Sequence, residues 1–136
     1  MDFIAIDFET ANNNRGSACS IGIVTVESGI IVNKEHYYIK PIPFYFDARQ
    51  QNIHKITEDL VSDKPLFSEH WNDLKLKFEN KLIVAHNAAF DLSVLRYALE
   101  ESELPFPDLE YICTWRLSEM LLPNLSNQKL SEISRL

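Results

Sequence analysis

The first third of the chain places apolar side chains with the spacing of β-strands. Residues 3–8, "FIAIDF", predict one strand that begins with the apolar run 3–6. Residues 19–41, "CSIGIVTVESGIIVNKEHYYIKP", contain two arms rich in β-branched and aromatic side chains around a Glu27-Ser28-Gly29 turn. The pattern therefore predicts one strand followed by an antiparallel hairpin.

The middle of the chain changes to a helical period. Residues 44–60 are polar and irregular, and predict only short helical turns. Further on, Phe67, Trp71, Leu74 and Phe78 recur at intervals of four, three and four residues, which is the spacing of one face of a helix. An amphipathic helix is therefore expected over this segment.

Short strands and helices alternate over the rest of the chain. They are a strand at 82–86 ("LIVAH"), a helix at 87–101 capped by Asn87, a strand at 111–113, and helices at 114–122 and 127–136. Strands separated by helices favour parallel crossovers. We therefore predict an α/β fold with a mixed sheet: three antiparallel strands, then parallel strands, with flanking helices. The first strand should be central, with the 82–86 strand parallel beside it and the hairpin on its other side.

Composition narrows the class of protein. A chain of 136 residues predicts a single domain over 1–136. A net charge of -7 argues against a simple phosphate-backbone binder, although metal-dependent nucleases are a partial exception. No apolar run approaches the ~20 residues of a membrane span, so no membrane partner is expected. Cys19 and Cys113 stand alone, which indicates unpaired thiols and a reducing, cytoplasmic location.

Two acids follow the first apolar run. Asp7 and Glu9 point to the same face of a strand, about 6.6 Å apart at a rise of ~3.3 Å per residue. Two neighbouring anions repel, and a hard divalent cation such as Mg²⁺ or Mn²⁺ would remove that cost. The alternative is that both acids are simply exposed at the end of the strand.

A third acid lies in "VAHNAAFD", where the 82–86 strand passes into the next helix. Asp91 falls in the first turn of that helix, and one interpretation is a partner of the helix dipole. Ligands of open α/β sheets gather at the carboxyl ends of the strands. If the two strands are neighbours, Asp7, Glu9 and Asp91 converge on one site.

These two motifs, "DFET" and "HNAAFD", resemble the DnaQ-like, DEDDh-type 3′–5′ exonucleases, a family that includes the proofreading epsilon subunit of bacterial DNA polymerase III. The segments "SIGIV", "IHKIT" and "LPFPDLEYICTWRLSEMLLPNLSNQKL" extend the resemblance over essentially the whole chain. A D-x-D phosphatase would need an Asp where Glu9 stands. The resemblance implies an RNase H-like fold and release of nucleoside monophosphates from the 3′ end of a nucleic acid.

The resemblance also implies roles for individual residues. The catalytic and metal-binding residues would be Asp7, Glu9 and Asp91, which would hold two Mg²⁺ or Mn²⁺ ions. The terminal nucleotide would contact the Thr10 peptide and the Asn87 side chain, with His86 and Phe90 shaping the pocket. The implied partners are a single-stranded DNA or RNA 3′ end and, as in the epsilon subunit, a DNA polymerase subunit.

The family's third motif, a His followed five residues later by an Asp, is absent between Met1 and Leu136. We therefore expect a domain truncated at its C-terminus, lacking the C-terminal helix, the general base and the fourth carboxylate. Such a chain should be nearly inactive and should expose apolar sheet surface. Two alternatives stay open: a non-catalytic nucleic-acid- or protein-binding module on an RNase H-like fold, and an unrelated α/β domain with coincidental acids.

Overall fold

A computed structural model describes residues 1–134 of the chain. Its elements, in chain order, are β1 (Phe3–Thr10), β2 (Ala18–Glu27), β3 (Ile30–Tyr38), α1 (Ala48–His54), α2 (Glu58–Val61), α3 (Phe67–Phe78), β4 (Leu82–Ala85), α4 (Ala88–Glu101), β5 (Glu110–Cys113), α5 (Thr114–Leu121) and α6 (Leu130–Ile133). The last two residues of the helix predicted over 127–136 lie outside the described residues.

The strands form one five-stranded sheet in the order β3-β2-β1-β4-β5. The neighbours β1–β2 and β2–β3 are antiparallel, whereas β1–β4 and β4–β5 are parallel. This confirms the predicted mixed sheet, with β1 in the centre, β4 parallel beside it and the hairpin on its other side.

The hairpin turns tightly between β2 and β3. Glu27 and Ile30 pair across the turn, which leaves Ser28 and Gly29 as its two central residues. Both have positive φ, 51° and 76°, as the two-residue turns that match the twist of a hairpin require. The turn predicted at Glu27-Ser28-Gly29 is thereby confirmed.

One face of the sheet carries the core. Ile4, Ile6 and Phe8 alternate along β1 with more exposed residues, and they pack with the buried stripes of α3 and α4. The predicted stripe of α3 is confirmed, because its four members are all buried: Phe67, Trp71, Leu74 and Phe78. Each such side chain stabilises the fold by roughly 1.5–3 kcal/mol through its burial.

The opposite face of the sheet is open. A cleft of about 400 Å³ runs over it, lined mainly by apolar side chains that include Ala5, Val24, Val84 and Leu130. Asp7 stands at the border of this cleft. The odd-numbered positions of β1 therefore lie on a face that helices α3 and α4 do not cover.

The structure differs from the expected elements at several ends. Strand β1 continues to Thr10, so Glu9 lies within the strand and not beyond it. Helix α6 covers only Leu130–Ile133, because the polar segment before it forms turns stabilised by side-chain bonds such as Lys129 N–H to Asn127 Oδ1. Asn87 precedes α4 as predicted but does not cap it through its side chain, since its backbone is left-handed at φ 66°.

Two further features bear on the class of protein. Within residues 1–134, every helix is too short or too polar to cross a lipid bilayer. Both cysteines are free thiols, with Cys19 buried and Cys113 partly buried.

Candidate active site

Strand β1 presents Asp7 and Glu9 on the open face of the sheet. Their side chains follow the strand's alternation, and Asp7 is exposed while Glu9 is half-buried. Across the antiparallel ladder, Asp7 pairs with Gly22 and Glu9 pairs with Ser20. Because directly opposed residues point to the same face, Gly22 leaves the space beside the Asp7 carboxylate free of a side chain.

Asp91 reaches this pair from the first turn of α4. Its side chain is only 2% exposed, and its Oδ1 accepts a hydrogen bond of 2.8 Å from the backbone N–H of Phe8. Phe8 is the residue between Asp7 and Glu9, so the bond fixes the third carboxylate beside the other two. Asp91 therefore does more than complement the dipole of α4, because it ties the start of that helix to the central strand.

Burial raises the pKa of all three carboxylates. Burial raises the pKa of Asp91 to about 7, the Phe8 N–H opposes this, and the charges of Asp7 and Glu9 add to it. Burial also raises the pKa of Asp7 and Glu9; the Asp7 charge adds to the effect on Glu9, whereas His86 opposes the effect on Asp7. These acids form one electrostatically coupled group.

A cation would complete this group chemically. The salt bridges within residues 1–134 join Lys64 to Asp63 and Lys77 to Glu35, and neither involves a carboxylate of the site. The donors are all carboxylate oxygens, which suit Mg²⁺ or Mn²⁺. In the described part of the chain, however, no three His, Cys, Asp or Glu side chains are arranged as a ready metal cluster. The donor set fits a hard cation, whereas a preformed cage is not observed.

His86 has a supporting position. Its Nδ1 lies 2.9 Å from Thr114 Oγ1, and its Nε2 donates a 2.6 Å hydrogen bond to the carbonyl of Gln128. Its ring also contacts the ring of Trp115, with 5.2 Å between centroids. The ring thus connects the end of β4 to α5 and to the segment before α6, and its nitrogens are occupied by protein atoms.

The predicted substrate-binding residues fall into three clefts, and His86 lines the one on the open face of the sheet that Asp7 borders. Thr10 and Phe90 line the same cleft as Glu9, which has a volume of about 320 Å³. Asn87 lines a separate cleft with Cys113 and Arg116. The structure therefore brings Thr10 and Phe90 together beside a site carboxylate, but it places Asn87 in a different depression.

His54 holds the end of β1, a role that sequence reasoning missed. Its Nδ1 accepts from the N–H of Ile56 at 3.0 Å, so its Nε2 carries the proton and donates to the Thr10 carbonyl at 2.9 Å. The ring thereby fixes the Thr10 peptide next to Glu9. The segment "IHKIT" was the available signal, but it reveals no partner across 44 residues of sequence.

Comparison with known proteins places these motifs in a family. The family model described as Exonuclease matches residues 4–136. The 3′-5′ exonuclease DinG of Bacillus subtilis (strain 168) is 29% identical over 138 residues, which cover 97% of this chain and 14% of that protein. The DNA polymerase III subunit epsilon of Buchnera aphidicola subsp. Schizaphis graminum is 27% identical over 136 residues, covering 91% of this chain and 58% of the relative.

A solved structure gives the same result in three dimensions. Exonuclease X in complex with 5′ overhanging duplex DNA superposes with a TM-score of 0.74 and 32% identity, over 98% of this chain and 74% of that one. The sheet and its helices are thus those of the RNase H-like exonucleases. The chain spans about a seventh of the DinG relative and just over half of the epsilon relative.

Proposed function

Because this chain belongs to the exonuclease family, whose model matches residues 4–136, we propose that it is a metal-dependent 3′–5′ exonuclease domain. It would release nucleoside monophosphates from the 3′ end of a nucleic acid. The observation that carries the proposal is the hydrogen bond from Phe8 N–H to Asp91, because it supports the convergence of three carboxylates at the centre of the sheet.

In this proposal, individual residues have separate roles in metal binding and in support of the site. Asp7, Glu9 and Asp91 would hold Mg²⁺ or Mn²⁺. A bound divalent cation would supply activation of the attacking water and neutralisation of charge on the phosphate. His54 keeps the Thr10 peptide in place beside Glu9. No base for the attacking water is assigned among residues 1–134.

The cleft next to Glu9 suggests how a strand end is recognised. Thr10 and Phe90 line it, and a volume of about 320 Å³ suits a single terminal nucleotide. A single-stranded end should be preferred, because a paired end must first be frayed at a cost of a few kcal/mol. Asn87 would contact the strand from the separate cleft that it lines with Cys113 and Arg116.

Partners and location are further parts of the proposal. A DNA polymerase subunit is proposed as partner on the likeness to the epsilon relative. A cytoplasmic location is supported by the free thiols Cys19 and Cys113. The proposed substrate is a single strand of either DNA or RNA.

Calorimetric titration with Mn²⁺ tests the metal site. The wild type should give a binding heat that Asp7→Ala loses, because this change removes a ligand from the open face. Asp59→Ala is the matched control, since it deletes an exposed acid on α2 that lies outside the site. Equal binding heats for all three proteins would show that Asp7 is not part of a metal site.

A second candidate is a non-catalytic module that binds nucleic acid or protein through the same fold. The observation in its favour is the open apolar face lined by Ala5, Val24 and Val84. A nuclease assay separates the two, because the module would bind a strand without shortening it. The assay uses the protein encoded by the whole gene, with Mn²⁺ present.

A further inference from the structure

Two arginines line the cleft that begins at Glu9. They are Arg15, on the loop after β1, and Arg49, on α1. Both side chains are exposed, and neither takes part in a salt bridge within residues 1–134. In a protein with a net charge of -7, uncompensated positive charge in a cleft beside the carboxylates is a local exception to the overall charge.

Arg15 is held in a defined position. Its Nη1 donates a 2.8 Å hydrogen bond to Ser93 Oγ, and its guanidinium carbon lies 5.1 Å from the centroid of the Phe90 ring. Ser93 is itself fixed, because its hydroxyl donates to the Phe90 carbonyl at 2.7 Å. The side chain is thus anchored to the turn of α4 that also carries Asp91.

The anchor leaves most of the binding capacity of Arg15 unused. A guanidinium has five N–H donors in a planar fork, and the bond to Ser93 engages one nitrogen. A pre-positioned fork of this kind matches two oxygens of a phosphate, and less side-chain freedom is lost when it binds. Carboxylates repel the phosphates of an approaching nucleic-acid strand. A fixed positive charge beside them offsets this repulsion and raises the local concentration of the strand.

We propose that Arg15 is a substrate-positioning residue that holds a phosphate of the nucleic-acid strand in the cleft between Glu9 and Phe90. The inference rests on the proposed exonuclease function and deepens it. Phe90 fixes the guanidinium from one side, and Arg49 adds charge to the same cleft. Arg15 acts on the strand by binding, while the carboxylates serve the bond that is cleaved.

Arg96 offers a matched control on the same helix. Its guanidinium carbon lies 4.1 Å from the centroid of the Phe106 ring, and its side chain is also exposed. Replacing it removes one positive charge and one arginine–ring contact, as replacing Arg15 does. The cleft beside Glu9 is lined by Arg15 and not by Arg96.

The test is fluorescence anisotropy with a single-stranded oligonucleotide labelled at its 5′ end, titrated in Ca²⁺ at several salt concentrations. Probe length is checked on a gel after each titration. Arg15→Ala should weaken binding about tenfold and reduce the slope of log K against log salt by roughly 0.7, the value for one phosphate contact on a single strand. Arg15→Lys should keep the slope and weaken binding by less, and Arg96→Ala should match the wild type.

The outcomes separate this inference from the proposed function. If the wild type binds and Arg15→Ala has the same affinity and salt slope as Arg96→Ala, Arg15 holds no phosphate and only this inference fails. A wild type that does not bind the strand overturns the inference and the proposed function together. A purely structural role for Arg15 would lower the melting temperature and leave the salt slope unchanged, which also counts against the inference.

Discussion

The buried carboxylate of Asp91 should make the metal-free protein less stable as pH rises. Asp91→Asn tests this with little change of shape, because the amide oxygen of Asn can still accept the hydrogen bond from Phe8 N–H. The substitution removes the negative charge and leaves the contact between α4 and β1. Any difference between the two proteins then reports the cost of ionising Asp91.

The magnitude follows from the pKa of Asp91, which burial raises from 3.8 to about 7. Because the folded protein keeps a proton that the unfolded chain has lost, its free energy of unfolding falls as pH rises between these values. One pKa unit corresponds to about 1.4 kcal/mol. Between pH 4.5 and pH 8 the free energy of unfolding of the wild type should therefore fall by roughly 3 kcal/mol more than that of Asp91→Asn.

Urea unfolding in EDTA, followed by the fluorescence of buried Trp71 and half-buried Trp115, measures the free energy of unfolding of both proteins across this range. Asp91→Asn should be the more stable protein at pH 8. Adding Mn²⁺ at pH 8 should stabilise the wild type more than the variant, since a bound cation compensates the Asp91 charge. Parallel pH profiles for the two proteins would show that ionised Asp91 carries no such cost.

Two further predictions concern stability and use the same urea assay. Phe78→Ala should lower the free energy of unfolding by about 3–5 kcal/mol, because it empties a fully buried position. The control Leu76→Ala, at a residue that is 76% exposed, should change it by less than ~0.5 kcal/mol. Similar losses in the two variants would contradict the position of Phe78 in the core. His54→Ala should lower the free energy of unfolding by ~1–3 kcal/mol, because the Ile56 N–H and the Thr10 carbonyl lose their hydrogen-bond partner. An unchanged urea midpoint would show that His54 does not stabilise the end of β1.

The sheet could be predicted from local pattern. Alternation of Ile4 and Ile6 with smaller or charged side chains marks a strand with one buried face, and the Ser28-Gly29 turn fixes the hairpin. The helical spacing between the later strands then favours parallel crossovers, and the observed strand order places β1 in the centre, as predicted. The strand alternation and the hairpin turn depend on residues that are close in sequence, so both can be predicted from the sequence alone.

The site was only partly predictable, because its decisive contacts are long-range. The identity of Asp91 as a candidate came from the sequence, but its bond to Phe8 joins residues 83 positions apart. Asn87 was expected to cap α4 by its usual side-chain preference, yet its left-handed backbone takes the side chain away from that role. No spacing rule anticipates that His54 supports Thr10 or that Arg15 rests on Phe90.

The most direct test of the central claim is hydrolysis of a single-stranded oligonucleotide labelled at its 5′ end, using the protein encoded by the whole gene. Mn²⁺ or Mg²⁺ should produce a ladder that shortens progressively from the 3′ side. Asp7→Ala, Glu9→Ala and Asp91→Ala should each lose most of this activity, because each removes a carboxylate that positions the metal. Internal cuts, activity that persists in EDTA, or an active Asp7→Ala variant would contradict the mechanism.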